Sequence, residues 1–253
     1  MGFVSDGAKV YLWKGKVFLG VLASGVNTGE RYVGSCDTLT VTPTVETKEK
    51  KDFSLPAAPL LDRAVTGINA EIALALSEWD KDNLAVALLG SSAAANQTSG
   101  TVTAEAMNDV VIGLSYKTAK RKISSVVLKK GATTYVLGTD YDIADATVGL
   151  IYIREGGSIV SGDDLTIDYS YAAETAWKVP IAGSPQSEFF LRFIGNPTRG
   201  KVQELEVWRC TLMPDGGLDL IGEDYGTIKL KGSVLVDSVN HPTEPYGILR
   251  QRA

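Results

Sequence analysis

The chain carries one histidine, His241, two cysteines, Cys36 and Cys210, and six aspartates clustered in its middle third. These are the side chains that could do chemistry. Acyl transfer by a triad needs a base held rigidly beside a nucleophile. His241 lies in His-Pro-Thr-Glu-Pro, a Pro-flanked tail poorly suited to hold a base. No HExxH, GxSxG, Walker or GxGxxG pattern occurs. Asp140, Asp142, Asp145, Asp163, Asp164 and Asp168 could offer oxygens to calcium. Their spacing matches no calcium loop, and Asp beside Gly is what tight turns prefer. Paired carboxylates could in principle hydrolyse glycosides, but no pair stands out. Trp13, Trp79, Trp177 and Trp208 are scattered and read as core or interface anchors. The two cysteines lie in or beside apolar segments and read as partly buried thiols, with a single disulfide left open. The sequence therefore assigns no catalytic residue, no metal ligand and no cofactor.

The elements that would position any site are strands. The 253 residues carry a formal net charge of −5 and 22 % charged residues, without the clustered basic face that tight nucleic-acid binding needs. The N-terminus has no basic start followed by an apolar run, so no secretory signal is expected. No stretch approaches the ~18 apolar residues of a membrane span. Synthesis in the cytosol follows as an expectation.

Alternation with period two dominates. Lys16–Leu22 reads as a strand. In Asp37–Thr47, Thr38, Thr40, Thr42 and Thr44 share one face, and Leu39, Val41, Pro43 and Val45 the other. That pattern predicts a half-buried antiparallel strand. Pro43 cannot donate to a ladder, so a neighbouring strand should be missing or bulged there. The charged run Lys48–Asp52 leads into Phe53–Leu61, with Pro56 and Pro59. It is expected to form a long exposed loop whose apolar tip docks on something, since Phe53, Leu55, Leu60 and Leu61 are too apolar for a solvated tip. Alternation resumes over Ala64–Leu76, where Ile68, Ile72, Leu74 and Leu76 oppose Asn69 and Glu71. One helix follows, with Ser77 as the expected N-cap, Glu78 and Asp80 in its first turn, Leu84, Leu88 and Leu89 as its stripe, and Gly90 as its stop. Ser91–Gly100 reads as a linker. Residues 120–173 alternate short strands with Gly/Asp turns and read as a small all-β insert. The last third is β again: Phe189–Ile194, then Lys201–Met213 and Gly226–Val236 around the turn Pro214–Gly217. The tail from Asp237 reads as an extended arm.

The order of these segments resembles the tail tube proteins of long-tailed bacteriophages. The resemblance rests on GKVFLGVLASG, RYVGSCDTLTVTPTVETKEKKDF, AVTGINAEIALALSEWDKDNLAVALLG, an insert with GTDYDI, GLIYI and GDDLTIDYSY, and the closing FFLRFIGNPTRGKVQELEVWRCTLMPDGGLDLIGEDYGTIKLKGSVLV. It covers most of the chain and concerns order and texture, not catalytic signatures. It implies a mainly β, sandwich or half-barrel fold with one flanking helix. Residues 1–119 and 174–253 would form the core domain, and 120–173 an insert on the tube exterior. Six copies would close a ring, and stacked rings would form the conduit through which DNA and the tape-measure protein pass. A tail terminator, baseplate or distal tail proteins, and a sheath where the tail contracts, would be further partners, with no membrane. The protein would be a structural component of the virion tail, assembled in the host cytoplasm, and not an enzyme.

The residues permit this. The Thr face could line a water-filled lumen, with Asp37, Thr38, Thr40, Thr42, Thr44, Glu46, Asn69 and Glu71 as lumen-facing candidates whose acidity repels phosphates. Lys48, Glu49, Lys50, Lys51, Asp52, Phe53, Leu55, Leu60 and Leu61 are the candidates for the ring-to-ring contact. The alternatives are a β-rich receptor- or carbohydrate-binding module, which needs an aromatic pocket, and a carboxylate hydrolase.

Overall fold

The computed structural model describes residues 11–183 and 187–252. Along the chain run β1 (Gly15–Ala23), β2 (Val26–Asn27), β3 (Arg31–Tyr32), β4 (Cys36–Lys51), β5 (Leu60–Leu76) and α1 (Lys81–Ala87). Next come β6 (Ala93–Ala94), β7 (Gly100–Val110), β8 (Ser115–Lys117), β9 (Ile123–Lys130), β10 (Thr133–Thr134), β11 (Tyr141–Asp145), β12 (Leu150–Ile153), β13 (Asp163–Tyr171) and β14 (Trp177–Lys178). The chain closes with β15 (Glu188–Gly195), β16 (Gln203–Thr211), β17 (Met213–Pro214), β18 (Ile228–Val234) and β19 (Gly247–Gln251). The protein is mainly β, as its alternation requires.

The chain divides into two units. One takes in the residues up to Ser92 and from Val179 on; the other spans Ala93–Lys178. The second unit takes in the span 120–173 and extends beyond it on both sides. The reason is pairing at a distance. β7, assigned from sequence to the core domain, is an antiparallel partner of β13, with Gly100 opposite Tyr171 and Val110 opposite Asp163. Ser91–Gly100, read as a linker, includes β6, which pairs with β14 through Ala93–Lys178 and Ala94–Trp177.

The discontinuous unit is built on one sheet with the path β2-β1-β15-β16-β18-β5-β4. β16 meets β18 at a single pair, Cys210 with Val234. From there β19 takes over the same edge of β16, pairing from Gln203–Gln251 to Val207–Gly247. The tail read as an extended arm therefore ends as a strand. Val17 and Leu19 of β1 share one buried cluster with Leu191, Val207, Ile72, Leu74, Ile228 and Leu230. β1 and β5 lie four places apart in the path, roughly 19 Å if flat at ~4.8 Å per strand. Joining one core across that span requires the sheet to curl over its own apolar face.

The single helix starts three residues later than the sequence suggested. Asp80 caps it, its carboxylate accepting from the Asp82 and Asn83 amides. Ser77 instead donates to Asp37 at 2.6 Å, and a Glu78 carboxylate oxygen accepts from the Ser35 amide. The left-handed residue that ends the helix is Leu89 (φ 49°). Gly90 is needed for space: a Cβ there would lie 2.1 Å from the Pro180 carbonyl oxygen.

Unit Ala93–Lys178 has its own core, with Leu128, Ile151, Ile153, Leu165 and Ile167 almost fully buried. Two sheets supply it, β10-β9-β13-β7 and β11-β12-β8. A tight hairpin turn at Gly131-Ala132 joins β9 to β10.

Candidate assembly surface

The longest pairing in the molecule joins β4 to β5, from Cys36–Leu76 to Lys51–Leu60. β18 covers β5 only from Ala70 to Leu76. Beyond that point, Leu60–Asn69 of β5 pairs with Thr44–Lys51 of β4 alone. The sheet therefore continues as a two-stranded arm, and among the described residues neither outer edge is paired. Ten residues of β5 correspond to roughly 33 Å. β4 is an edge strand throughout, which is where a strand tolerates Pro43; Pro43 itself stays in register opposite Ala70.

Alternation sorts this hairpin into two faces. Leu39 with Leu74, and Ile72 opposite the more exposed Val41, begin the apolar face at the core. The same face continues outward through Val45–Ile68 and Thr47–Val65. There Val45, Ile68 and Val65 are 57 %, 57 % and 63 % exposed. An apolar stripe that is core at one end and solvent-facing at the other is an incomplete interface.

The opposite face carries the residues singled out for a lumen. Thr38, Thr40, Thr42, Thr44 and Glu46 on β4 pair with Ala75, Ala73, Glu71, Asn69 and Gly67 on β5. Asn69 donates to Glu46 at 2.8 Å. Seven of the eight candidates thus share one exposed face, and Asp37 sits in the bulge at its base, between Cys36 and Thr38. The strand expected over Gly226–Val236 is β18, but its place beside β5 was not legible: Lys229 and Lys231 lie opposite Ala75 and Ala73, so they belong to this face too. Asp215 pairs with Lys231 at 2.6 Å and holds its ammonium above the usual lysine range. Three acids, Asp37, Glu46 and Glu71, then face one further lysine, so the surface is only mildly acidic.

The contact loop is shorter than expected. Lys48, Glu49, Lys50 and Lys51 are strand residues opposite Ala64, Arg63, Asp62 and Leu60; Leu60 and Leu61 belong to β5. Cross-strand pairing of opposite charges, Glu49 with Arg63 at 3.7 Å and Lys50 opposite Asp62, lets a charged run extend a ladder. The loop proper is Asp52–Pro59, closed by the Asp52 amide donating to the Pro59 carbonyl at 2.8 Å. Ser54 donates from its amide and hydroxyl to Asp52, which holds that carboxyl below its usual range. Phe53 is 80 % exposed at the tip.

The other chemical candidates do not converge. His241 stacks flat on Trp208 at 3.7 Å, and its Nδ1 lies 3.1 Å from Asp237, its side-chain hydrogen-bond partner among the described residues. The aspartates of the insert each have a local partner. Asp140 accepts from the Val136 and Ser158 amides, and Asp145 from the Thr147 and Val148 amides. Asp164 accepts from the Asp109 amide. Asp142 pairs with Arg154, Asp163 with Lys130 and Asp168 with Lys129. Among the described residues no three His, Cys, Asp or Glu side chains gather as metal ligands. Cys36 and Cys210 are both thiols, and burial pushes that of Cys210 up to about 12. Trp13 stacks on Tyr11, Trp79 donates to the Gly226 carbonyl, and Trp177 is half exposed in β14; the four indoles form no common platform. Among the described residues no helix is long and apolar enough to cross a membrane.

Comparison with curated proteins gives no match. The family described as "Protein of unknown function UCP028589" matches residues 10–247, and the chain belongs to that family.

Proposed function

We propose that this protein is a self-assembling structural subunit, the building block of a bacteriophage tail tube. One observation carries the reading: the apolar face of the β4–β5 hairpin leaves the core and runs out along an arm whose two edges are unpaired among the described residues. A two-stranded ribbon is marginal in water by itself. Burying Val45, Val65 and Ile68 against a neighbour would recover about 1.5–3 kcal/mol apiece. An open edge as long as that of β4 is a hazard unless identical neighbours complete it. Closure by rotation gives a ring, and repetition along the axis gives a tube.

In this reading the curled sheet is the half-barrel wall, flanked by α1, and six copies close it. The Thr-rich face lines the bore, where hydroxyls keep a hydrated surface. Its small acidic excess, reduced by Lys229, disfavours phosphate binding less strongly than the acids of β4 and β5 alone would. The tape-measure protein and DNA are the expected passengers, and DNA delivery the function.

Negative-stain microscopy of the purified protein at high concentration tests this. Hollow filaments or six-fold rings are expected; a monodisperse monomer with no pore in any assembly would end the proposal. Replacing Phe53 and Leu55 with Asp should leave folded monomers or single rings, and normal long tubes from that variant would remove the loop from the contact.

A further inference from the structure

A cleft of about 590 Å³ opens between the hairpin and the facing half of the curled sheet, lined by Val17, Leu39, Val41, Phe193, Leu205 and Leu249 among others. A second, of about 220 Å³, adjoins it and shares Val41, Leu205 and Leu249. Together they form one apolar groove at the base of the arm. Leu249 is 59 % and Val41 37 % exposed although both point toward the core side of their strands. Among the described residues the groove is thus core left open.

We infer that this groove receives the loop Asp52–Pro59 of a second copy of the chain. The inference rests on the self-assembly proposed above and names the receiving site. Three observations select the occupant. The loop cannot fill its own groove, because the arm carries it roughly 33 Å beyond the last pair with β18, at ~3.3 Å per residue. Its chemistry matches: Phe53 and Leu55 are exposed on a turn restrained by Pro56 and Pro59, and a restrained wedge loses little entropy on docking. The charges at the two rims also match. Lys14 and Asp37 line the groove, while Lys51 and Asp52 lead directly into Phe53 on the arm. Loop and groove are different surfaces, so the contact is heterologous. Each added copy leaves one free loop and one free groove, and growth is axial and directional.

Two variants test it, each altered at exposed positions. F53D/L55D lacks a working loop but keeps its groove; V41K/L249E lacks the groove but keeps its loop. Circular dichroism checks that both fold. Neither alone should stack, and an equimolar mixture should yield stacked pairs that grow no further, seen by sedimentation velocity and microscopy. A cyclised Lys51–Leu61 peptide should bind F53D/L55D saturably, and V41K/L249E at least ~10-fold more weakly, the loss expected for a central contact. Wild-type-like tubes from V41K/L249E, or no peptide binding to F53D/L55D, would overturn the groove while leaving self-assembly standing. A wild type that never assembles would end the tube reading and this inference with it, even if its groove bound the peptide.

Discussion

His241 illustrates how residue chemistry is decided by surroundings. As the only histidine it invites a catalytic reading, yet its ring is stacked on Trp208 while Asp237 takes its Nδ1. Trp208 in turn donates to the Glu244 carbonyl and lies 6.2 Å from Phe190. The group is a clamp that holds the segment before β19. Replacing His241 with Ala is expected to cost about 0.5–1.5 kcal/mol, the value of one aromatic stack, measured by urea denaturation followed through tryptophan emission. An unchanged midpoint would remove the clamp role. On the outer face of the same sheet, Arg192 joins Glu30 at 2.9 Å and also reaches Glu204 and Glu206, while Arg250 and Arg252 bind Glu206 and Glu204. Glu206 is nearly buried, so these partners are what make its charge tolerable and bind β19 to β16.

At the scale of elements, the middle unit shows what its aspartates are for. Asp140 is kept below the usual carboxylate range by the Val136 and Ser158 amides, Asp163 by Lys130, and Asp168 by Lys129. A carboxyl whose folded value is depressed stabilises the fold above its unfolded value of ~3.9 and loses that contribution as pH falls through the folded value. The unit should therefore be insensitive to pH near neutrality and weaken below about pH 4. Tyrosine near-ultraviolet dichroism during thermal melts at pH 6 and pH 3 checks this. Asp140→Asn should melt lower at pH 6 and show a smaller acid-induced drop; an equal drop would show that Asp140 contributes nothing to it. Turn chemistry was legible where Asp stands near Gly, as in Gly138-Thr-Asp140 and Gly162-Asp163, as was the helix from its acidic start. The helix cap was misplaced because Ser77 and Glu78 are tied instead to Ser35 and Asp37, some forty residues earlier in the chain.

For the whole molecule, Ala93 and Lys178 are cross-strand partners, and each unit has a separate core. Replacing residues 93–178 with a short Gly/Ser link should leave the remainder folded and able to assemble. Loss of cooperative unfolding in the shortened chain would show that the discontinuous unit needs its insert. The sequence by itself determined the β class, the two-faced character of Asp37–Thr47 and Ala64–Leu76, the existence of an inserted β unit and the exposure of Phe53 and Leu55. Alternation reports which side chains share a face, and that is a local property. Only the tertiary structure decided that Lys48–Lys51 is strand, that the loop after Pro214 runs on to Thr227 with Leu220, Ile221 and Tyr225 exposed, and that Lys229 and Lys231 join the Thr face. It also decided where β18 stops covering β5, which creates the arm. Those outcomes depend on which strands become neighbours, and pairs such as Gly15–Gly195, Gly100–Tyr171 and Ala70–Val234 join residues too far apart for any local pattern to encode.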